Sequence, residues 1–199
     1  MRILLVGATG KLGSALRRTL AERGHEVVAV ARSGGDLRCD ITDPQQLAAL
    51  WEQVGTVDAV ASAAGDVPYR PLAEMESRDY TRAFEGKVLA QIDLVRTGLP
   101  HVAPRGSFTL ITGILARDPI VTGSAAAMAN GALEAFVRAA AVEIAPRRIN
   151  AISPSVFTES LDDYGDFFPG YTPVDLAAVA EAYVKSIEGA ATGRVHELP

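Results

Sequence analysis

The sequence predicts an α/β protein: a doubly wound parallel sheet of about seven strands with helices on both faces, in three α/β/α layers, forming one domain over residues 1–199. Three observations carry that expectation. Short β-like apolar runs alternate with amphipathic helical stretches along the whole chain, the signature of repeated β-α-β units. The first run stops at a glycine loop, GATGKLG (7–13), that opens straight into a helix. A length of 199 residues, 48% hydrophobic and 22% charged, suits one soluble core and shows no repeat, low-complexity tract or linker.

The elements follow in order. RILLV (2–6) is a short apolar run with the length of a buried parallel strand. Between Lys11 and Arg23, Leu12, Leu16 and Leu20 recur every fourth residue while charged residues take the other faces, and Gly24 stands where a helix C-terminus wants glycine. EVVAVA (26–31) returns to a strand pattern. Thr42, Asp43 and Pro44 supply a cap and a first-turn proline for a helix to about Val54. DAVAS (58–62), SFTLIT (107–112) and RINAI (148–152) are further strands, separated by helices over about 72–98 and 123–145. A helix over about 173–188 precedes a short terminal strand in GRVHEL. The stretch 153–172, with Gly165, Pro169 and Gly170, reads as a mobile flap.

Charge and composition remove several classes of function. A net charge of −5 gives no general attraction for nucleic acid or anionic lipid. The single cysteine, Cys39, reads as a small buried residue, and three scattered histidines have no ligand spacing, so no metal is expected. MRILLVGATG enters a strand at once, without a basic leader or an 18-residue apolar span, so a soluble cytoplasmic protein is expected.

The glycine loop points to a nucleotide. Gly7, Gly10 and Gly13 sit between strand and helix, where they permit a tight turn and close approach of backbone to a pyrophosphate at a helix N-terminus. The spacing is G-x-x-G-x-x-G rather than G-x-G-x-x-G. After the second strand, VAVARSGGD places Arg32 and Ser33 where an acidic residue would select NAD and an arginine the 2′-phosphate of NADP. With Lys11 as a second cation, NADP(H) is expected over NAD(H), while Asp36 remains an alternative partner for a ribose.

With these motifs in register, the chain resembles the short-chain dehydrogenase/reductase superfamily over essentially its whole length. The resemblance implies a Rossmann-type fold and cofactor contacts from Thr9 and Leu12 in the glycine loop. CDITD (39–43) is similar to the family's adenine-contact motif and implies Asp40 and Ile41 beside the adenine. ASAAG (61–65) resembles its N-A-G element, with Ala63 in place of asparagine and Ala64 and Gly65 following. RINAISPSVFTE (148–159) resembles the segment that covers the nicotinamide, which implies Pro154, Ser155, Val156 and Thr158 as cofactor neighbours. In the family the helices corresponding to 72–98 and 123–145 form a dimer interface, so a homodimer or homotetramer is implied.

The family's proton-transfer residues do not carry over. By the same register its serine falls on Gly113, its tyrosine on Ala126, its lysine on Asn130 and its asparagine on Lys87. The helix SAAAMANGALEAF (124–136) then reads chiefly as a packing or oligomerisation element, with Ala126, Leu133, Phe136, Val137 and Ala140 on one face. Three residues remain as candidates for chemistry: Lys87, whose desolvated amine can take a lowered pKa; Thr112, at the end of the central strand; and Asn130, as a partner for the ribose. An exposed helical role for Lys87 and a plain strand role for Thr112 stay open. Tyr69, Tyr164 and Tyr171 are further phenols near the expected cleft, and Phe167 and Phe168 suggest an apolar lid over a flat or hydrophobic ligand. Asp162 and Asp163 read as solvated. Two functions are compatible with this pattern: an NADP(H)-dependent oxidoreductase with an atypical active site acting on a small organic substrate, or a catalytically inactive NADP(H)-binding redox sensor or partner protein.

Overall fold

The computed structural model describes residues 1–199 and contains one seven-stranded, wholly parallel sheet in the order β3-β2-β1-β4-β5-β6-β7. In chain order the elements are β1 (Arg2–Val6), α1 (Lys11–Glu22), β2 (Glu26–Ala31), β3 (Leu37–Arg38), α2 (Pro44–Val54) and β4 (Val57–Ser62). Then come α3 (Ser77–Ala83), a π-helical segment Phe84–Leu89, α4 (Ala90–Gly98), β5 (Val102–Ile111) and α5 (Ser124–Glu143). The chain closes with β6 (Arg148–Ser153), α6 (Leu161–Tyr164), α7 (Leu176–Glu188) and β7 (Val195–Glu197). Strand order reverses between β1 and β4, the position at which a parallel sheet opens a crevice at its carboxyl edge.

Each face of the sheet carries its own core. Leu12, Leu16 and Leu20 of α1 pack with Val179, Tyr183 and Ile187 of α7 on one side. Leu47 and Trp51 of α2, Leu94 of α4 and Leu133 and Val137 of α5 fill the other. Each large side chain so buried contributes about 1.5–3 kcal/mol. The local signals read from sequence have physical counterparts. The Asp43 carboxylate accepts from the backbone N–H of Gln45 and Gln46 and caps α2, and Gly24 takes the positive φ (79°) that follows α1. No helix is long and apolar enough to cross a membrane.

Three expectations need correction. The two-residue strand β3 is too short to show a pattern; it forms because the turn after β2, closed by Gly35 at φ 79°, folds the chain back alongside Ala31. The helix expected over 72–98 is interrupted, since Phe84–Leu89 widens into a π-helix. The stretch 153–172 is a set of short helical turns tied down at both ends. The Thr158 N–H donates to the Val174 carbonyl, and the Glu159 carboxylate accepts from the Leu176 N–H at 3.1 Å, capping α7 from outside.

Candidate active site

The carboxyl edge of the sheet opens into two adjoining cavities of about 860 and about 590 Å³, both of ligand size. Gly10 and Ala63–Asp66 line both, so the glycine loop and the end of β4 form the shared wall.

The larger cavity is made mostly of backbone. Gly7, at φ 80°, turns the chain out of β1 so closely against β4 that a Cβ there would lie 2.7 Å from the Ala63 carbonyl oxygen. Gly10 caps α1 without a side chain, and a Cβ on it would meet only the Gly7 carbonyl at an ordinary 3.5 Å. The fold therefore does not require glycine at position 10; what the missing side chain leaves is open space at a helix N-terminus. The N–H groups of Lys11, Leu12 and Gly13 there have no protein acceptor, an arrangement that favours an anion. Thr9, Arg32, Ser33, Asp40 and Ile41 complete the wall. Arg32 is exposed and makes no ion pair, whereas the half-exposed Asp36 carboxylate accepts from the Ala29 N–H at 2.8 Å and from Arg17 at 3.1 Å. Asp36 closes its own turn and is not at the cavity.

Several expected neighbours sit elsewhere. Gly13 lines neither cavity; a Cβ on it would overlap the Gly7 carbonyl, so it lets α1 close on the turn. Thr158 is exposed and off both walls, and its N–H donates to the carbonyl of Val174, the β-bridge partner of Phe157. Lys11 lines the smaller cavity, not that of Arg32, and its amine pairs with Asp163 at 2.8 Å and donates to the Glu159 carbonyl. Asp163 is accordingly not a free surface acid; it ties α6 to the glycine loop.

The smaller cavity is made of side chains. Lys87, Thr112 and Asn130 all reach it, with Leu12, Pro154, Ser155 and Val156 opposite. Lys87 is not an exposed helical lysine. Its stem lies against Gly65, where a Cβ would sit 2.9 Å from its Cγ, and its Nζ donates to the Thr112 carbonyl at 3.3 Å. Burial lowers its pKa from 10.5 to about 8, opposed by the negative charge of Glu134. The widened turn around Lys87 is held by Gln91, which is fully buried: its amide accepts from the Ile111 N–H and donates to the Ile111 carbonyl, both at 3.0 Å.

Thr112 is buried and its hydroxyl is already engaged, 3.2 Å from both Glu134 Oε1 and the Ile152 carbonyl. Its carbonyl, not its hydroxyl, serves the cavity. Asn130 donates from Nδ2 to the Gly113 carbonyl at 3.2 Å and keeps a buried Oδ1 without a partner; the Ser155 hydroxyl is likewise buried and unpartnered. Gly113 has extended backbone that any residue can adopt, but Asn130 Nδ2 lies 3.1 Å from where its Cβ would stand. Ala126 is buried and off both walls. Of the aromatic candidates, Tyr69, Tyr164 and Phe168 stand at the mouth; Tyr69 is 41% exposed, and partial desolvation of its phenol there raises its pKa above the ordinary range. Tyr171 is turned away, donating to the Asp118 carbonyl at 3.0 Å, and Phe167 is exposed off the wall. Sequence reasoning did not find Glu134 or Gln91 as site residues. Their signal, four- and seven-residue spacing from Asn130 and Phe84, is indistinguishable from ordinary helix periodicity.

Comparison with known proteins follows the geometry. The family model described as enoyl-(acyl carrier protein) reductase matches residues 7–185. Elsinochrome reductase 1 of Elsinoe fawcettii is 25% identical, over 77% of this chain and 67% of its own length. Among solved structures, the protein lin1944 from Listeria innocua is 45% identical with a TM-score of 0.96, covering 99% of this chain and 98% of that one. A small-chain dehydrogenase solved in complex with NADPH is 25% identical with a TM-score of 0.88, covering 99% of this chain and 95% of that one.

Proposed function

The chain belongs to the enoyl-(acyl carrier protein) reductase family of short-chain dehydrogenases/reductases and is an oxidoreductase, and from that premise we propose that it is NADP(H)-dependent and works with an atypical proton donor, Lys87. The observation that carries this reading is the junction of two cavities at Gly10 and Ala63–Asp66, one built for a dinucleotide and the other holding a desolvated lysine.

The residues present fit the nucleotide. Open space at Gly10, three unpaired N–H groups at the start of α1 and an unpaired Arg32 suit a pyrophosphate and a 2′-phosphate. Asp36, the acid nearest Arg32 in sequence, is held by the Ala29 N–H and by Arg17 and stands off the cavity wall, which favours NADP(H) over NAD(H). Asp40 and Ile41 are suited to flank the adenine. The orphaned Asn130 Oδ1 and Ser155 hydroxyl offer acceptors towards the far end, with Pro154 and Val156 beside them. The reduced nicotinamide supplies a hydride when bound. Lys87 then gives a proton from Nζ to the substrate oxygen that gains charge: the N–H bond breaks, an O–H bond forms, and a neutral amine remains. A pKa of about 8 suits a donor working near neutral pH. Thr112 aims the amine through its carbonyl, and Tyr69, Tyr164 and Phe168 give the mouth its aromatic lining.

The positions corresponding to serine, tyrosine and lysine, Gly113, Ala126 and Asn130, offer no alternative acid. The aromatic mouth favours a flat, hydrophobic carbonyl or quinone as the small-molecule substrate, in keeping with a relative named for reducing elsinochrome. Exposed Phe84, Leu89, Met128 and Val142 on the π-helical segment and α5 support pairing of two copies. Calorimetric titration with NADPH and NADH, followed by an acceptor panel of quinones, flavins and aromatic ketones, tests the proposal. Tight NADPH binding, weak NADH binding and turnover of one acceptor are expected. NADPH binding with no turnover of any acceptor points to a redox sensor instead, and binding of neither nucleotide overturns both.

A further inference from the structure

We propose that Glu134 is a positioning residue for Lys87, its carboxylate acting through Thr112 to keep the amine protonated and directed at the smaller cavity. The inference deepens the reading of Lys87 as proton donor and rests on it. On α5, Ala126, Asn130 and Glu134 recur every four residues and share one face. Asn130 reaches the cavity wall, and Glu134 stands one turn further along. Thr112 touches both ends of the couple: its carbonyl accepts from Lys87 Nζ at 3.3 Å, and its hydroxyl lies 3.2 Å from Glu134 Oε1. The same carboxylate oxygen accepts from the Ser153 hydroxyl at 3.1 Å, and Ser153 in turn accepts from Arg117 at 2.7 Å. Charges therefore alternate along one line, Arg117, Glu134, Lys87, with a hydroxyl residue between each pair.

No other charged group around the amine can play this part. Asp66, on the loop after β4, pairs with Arg82 at 2.8 Å; Glu85, on the same π-helical segment, is exposed. Across the cavity Lys11 is held by Asp163, and the remaining titratable groups there are the Tyr69 and Tyr164 phenols. β5 reaches the cavity only through Ile111, and Thr112, which follows it, carries no charge. Against the burial that drives the proton off Lys87, Glu134 is the one side chain that holds it on. Without that carboxylate, desolvation acts unopposed and the amine becomes neutral at lower pH.

The chain has three lysines, Lys11, Lys87 and Lys185, so 13Cε labelling resolves each by NMR without any substrate. In Glu134→Gln the Lys87 midpoint is expected to fall by about one pH unit, with Lys11 and Lys185 unmoved. Glu134→Asp, retracted by one methylene, is expected to fall less, and it carries the test alone if Glu134→Gln does not fold. With an acceptor in hand, the alkaline limb of kcat moves acid by the same amount, so activity lost at pH 8 returns at pH 6. A merely structural role lowers kcat at every pH and leaves the limb in place. A Lys87 midpoint unchanged in both variants overturns the proposal, whatever the turnover. Full turnover in Lys87→Met overturns instead the proton-donor reading, while the NMR midpoints still decide whether Glu134 governs the amine.

Discussion

The two cavities on the carboxyl edge of the sheet are built by different means. The larger is a product of backbone: a positive-φ glycine at position 7, a helix N-terminus with unpaired N–H groups, and a strand end brought close because Gly7 has no Cβ. Its side chains decorate a shape they do not create. The smaller is a product of side chains from five elements, and its central feature, an amine beneath a π-helical turn, is costly to bury. A backbone site tolerates sequence drift because every residue carries the same N–H and C=O. A side-chain site can change its chemistry by single substitutions while the sheet beneath it stays intact. On the reading proposed above, that difference would let a nucleotide site stand beside Gly113, Ala126 and Asn130.

The comparison can be broken most sharply at Lys87. Lys87→Met is expected to lower turnover by about 10²-fold or more while NADPH affinity, measured by calorimetry, stays near the wild-type value. Stability should move the other way. With a native pKa of about 8 against 10.5 unfolded, the unfolded chain binds more protons between those values, so wild-type stability rises with pH across that window. Below pH 8 the buried ammonium costs up to about 3 kcal/mol, a cost the methionine variant lacks. Urea denaturation of both proteins at pH 7 and pH 10 should show the variant's advantage shrinking as pH rises; a constant difference would mean the amine is not desolvated.

Gly13 and Gly10 sharpen the contrast within the backbone site. Gly13→Val forces a side chain against the Gly7 carbonyl and should destabilise the fold by about 3 kcal/mol, with nucleotide binding lost in consequence. Gly10→Val should leave the denaturation midpoint nearly unchanged yet still weaken NADPH, because its side chain enters open space. Equal losses of stability in the two variants would refute the view that position 10 is kept clear for a ligand. The smallest effect is expected at Arg32. Arg32→Asp should weaken NADPH by about 10- to 100-fold and spare NADH, and an unchanged ratio of the two affinities would remove the basis for NADP(H) preference.

Much of this was legible in the residues. The leucine spacing of α1, the Asp43-Pro44 start of α2 and the alternation of strands and helices led to the parallel sheet, because periodicity and caps act over a few residues and do not depend on partners. GATGKLG and VARSGG placed two groups that do line the larger cavity, Gly7, Thr9 and Gly10 in the first and Arg32 and Ser33 in the second. The misplacements share one cause. Lys11 went to Asp163, the Asp36 carboxylate to its own turn and Thr158 to Val174, each chosen by a partner distant in sequence or by a turn too short to read.

The sequence by itself determined the strand and helix order, the glycine turn at the end of β1 and the absence of an acid at residues 113, 126 and 130, since these are local properties of residue type and spacing. Only the tertiary structure decided that Lys87 is desolvated against Gly65, that Glu134 faces it through Thr112, and that Asn130 Oδ1 is left without a partner. Proton affinity and hydrogen-bond satisfaction depend on what surrounds a group in three dimensions. Here those surroundings come from β4, β5, β6 and α5, which only the folded sheet brings together.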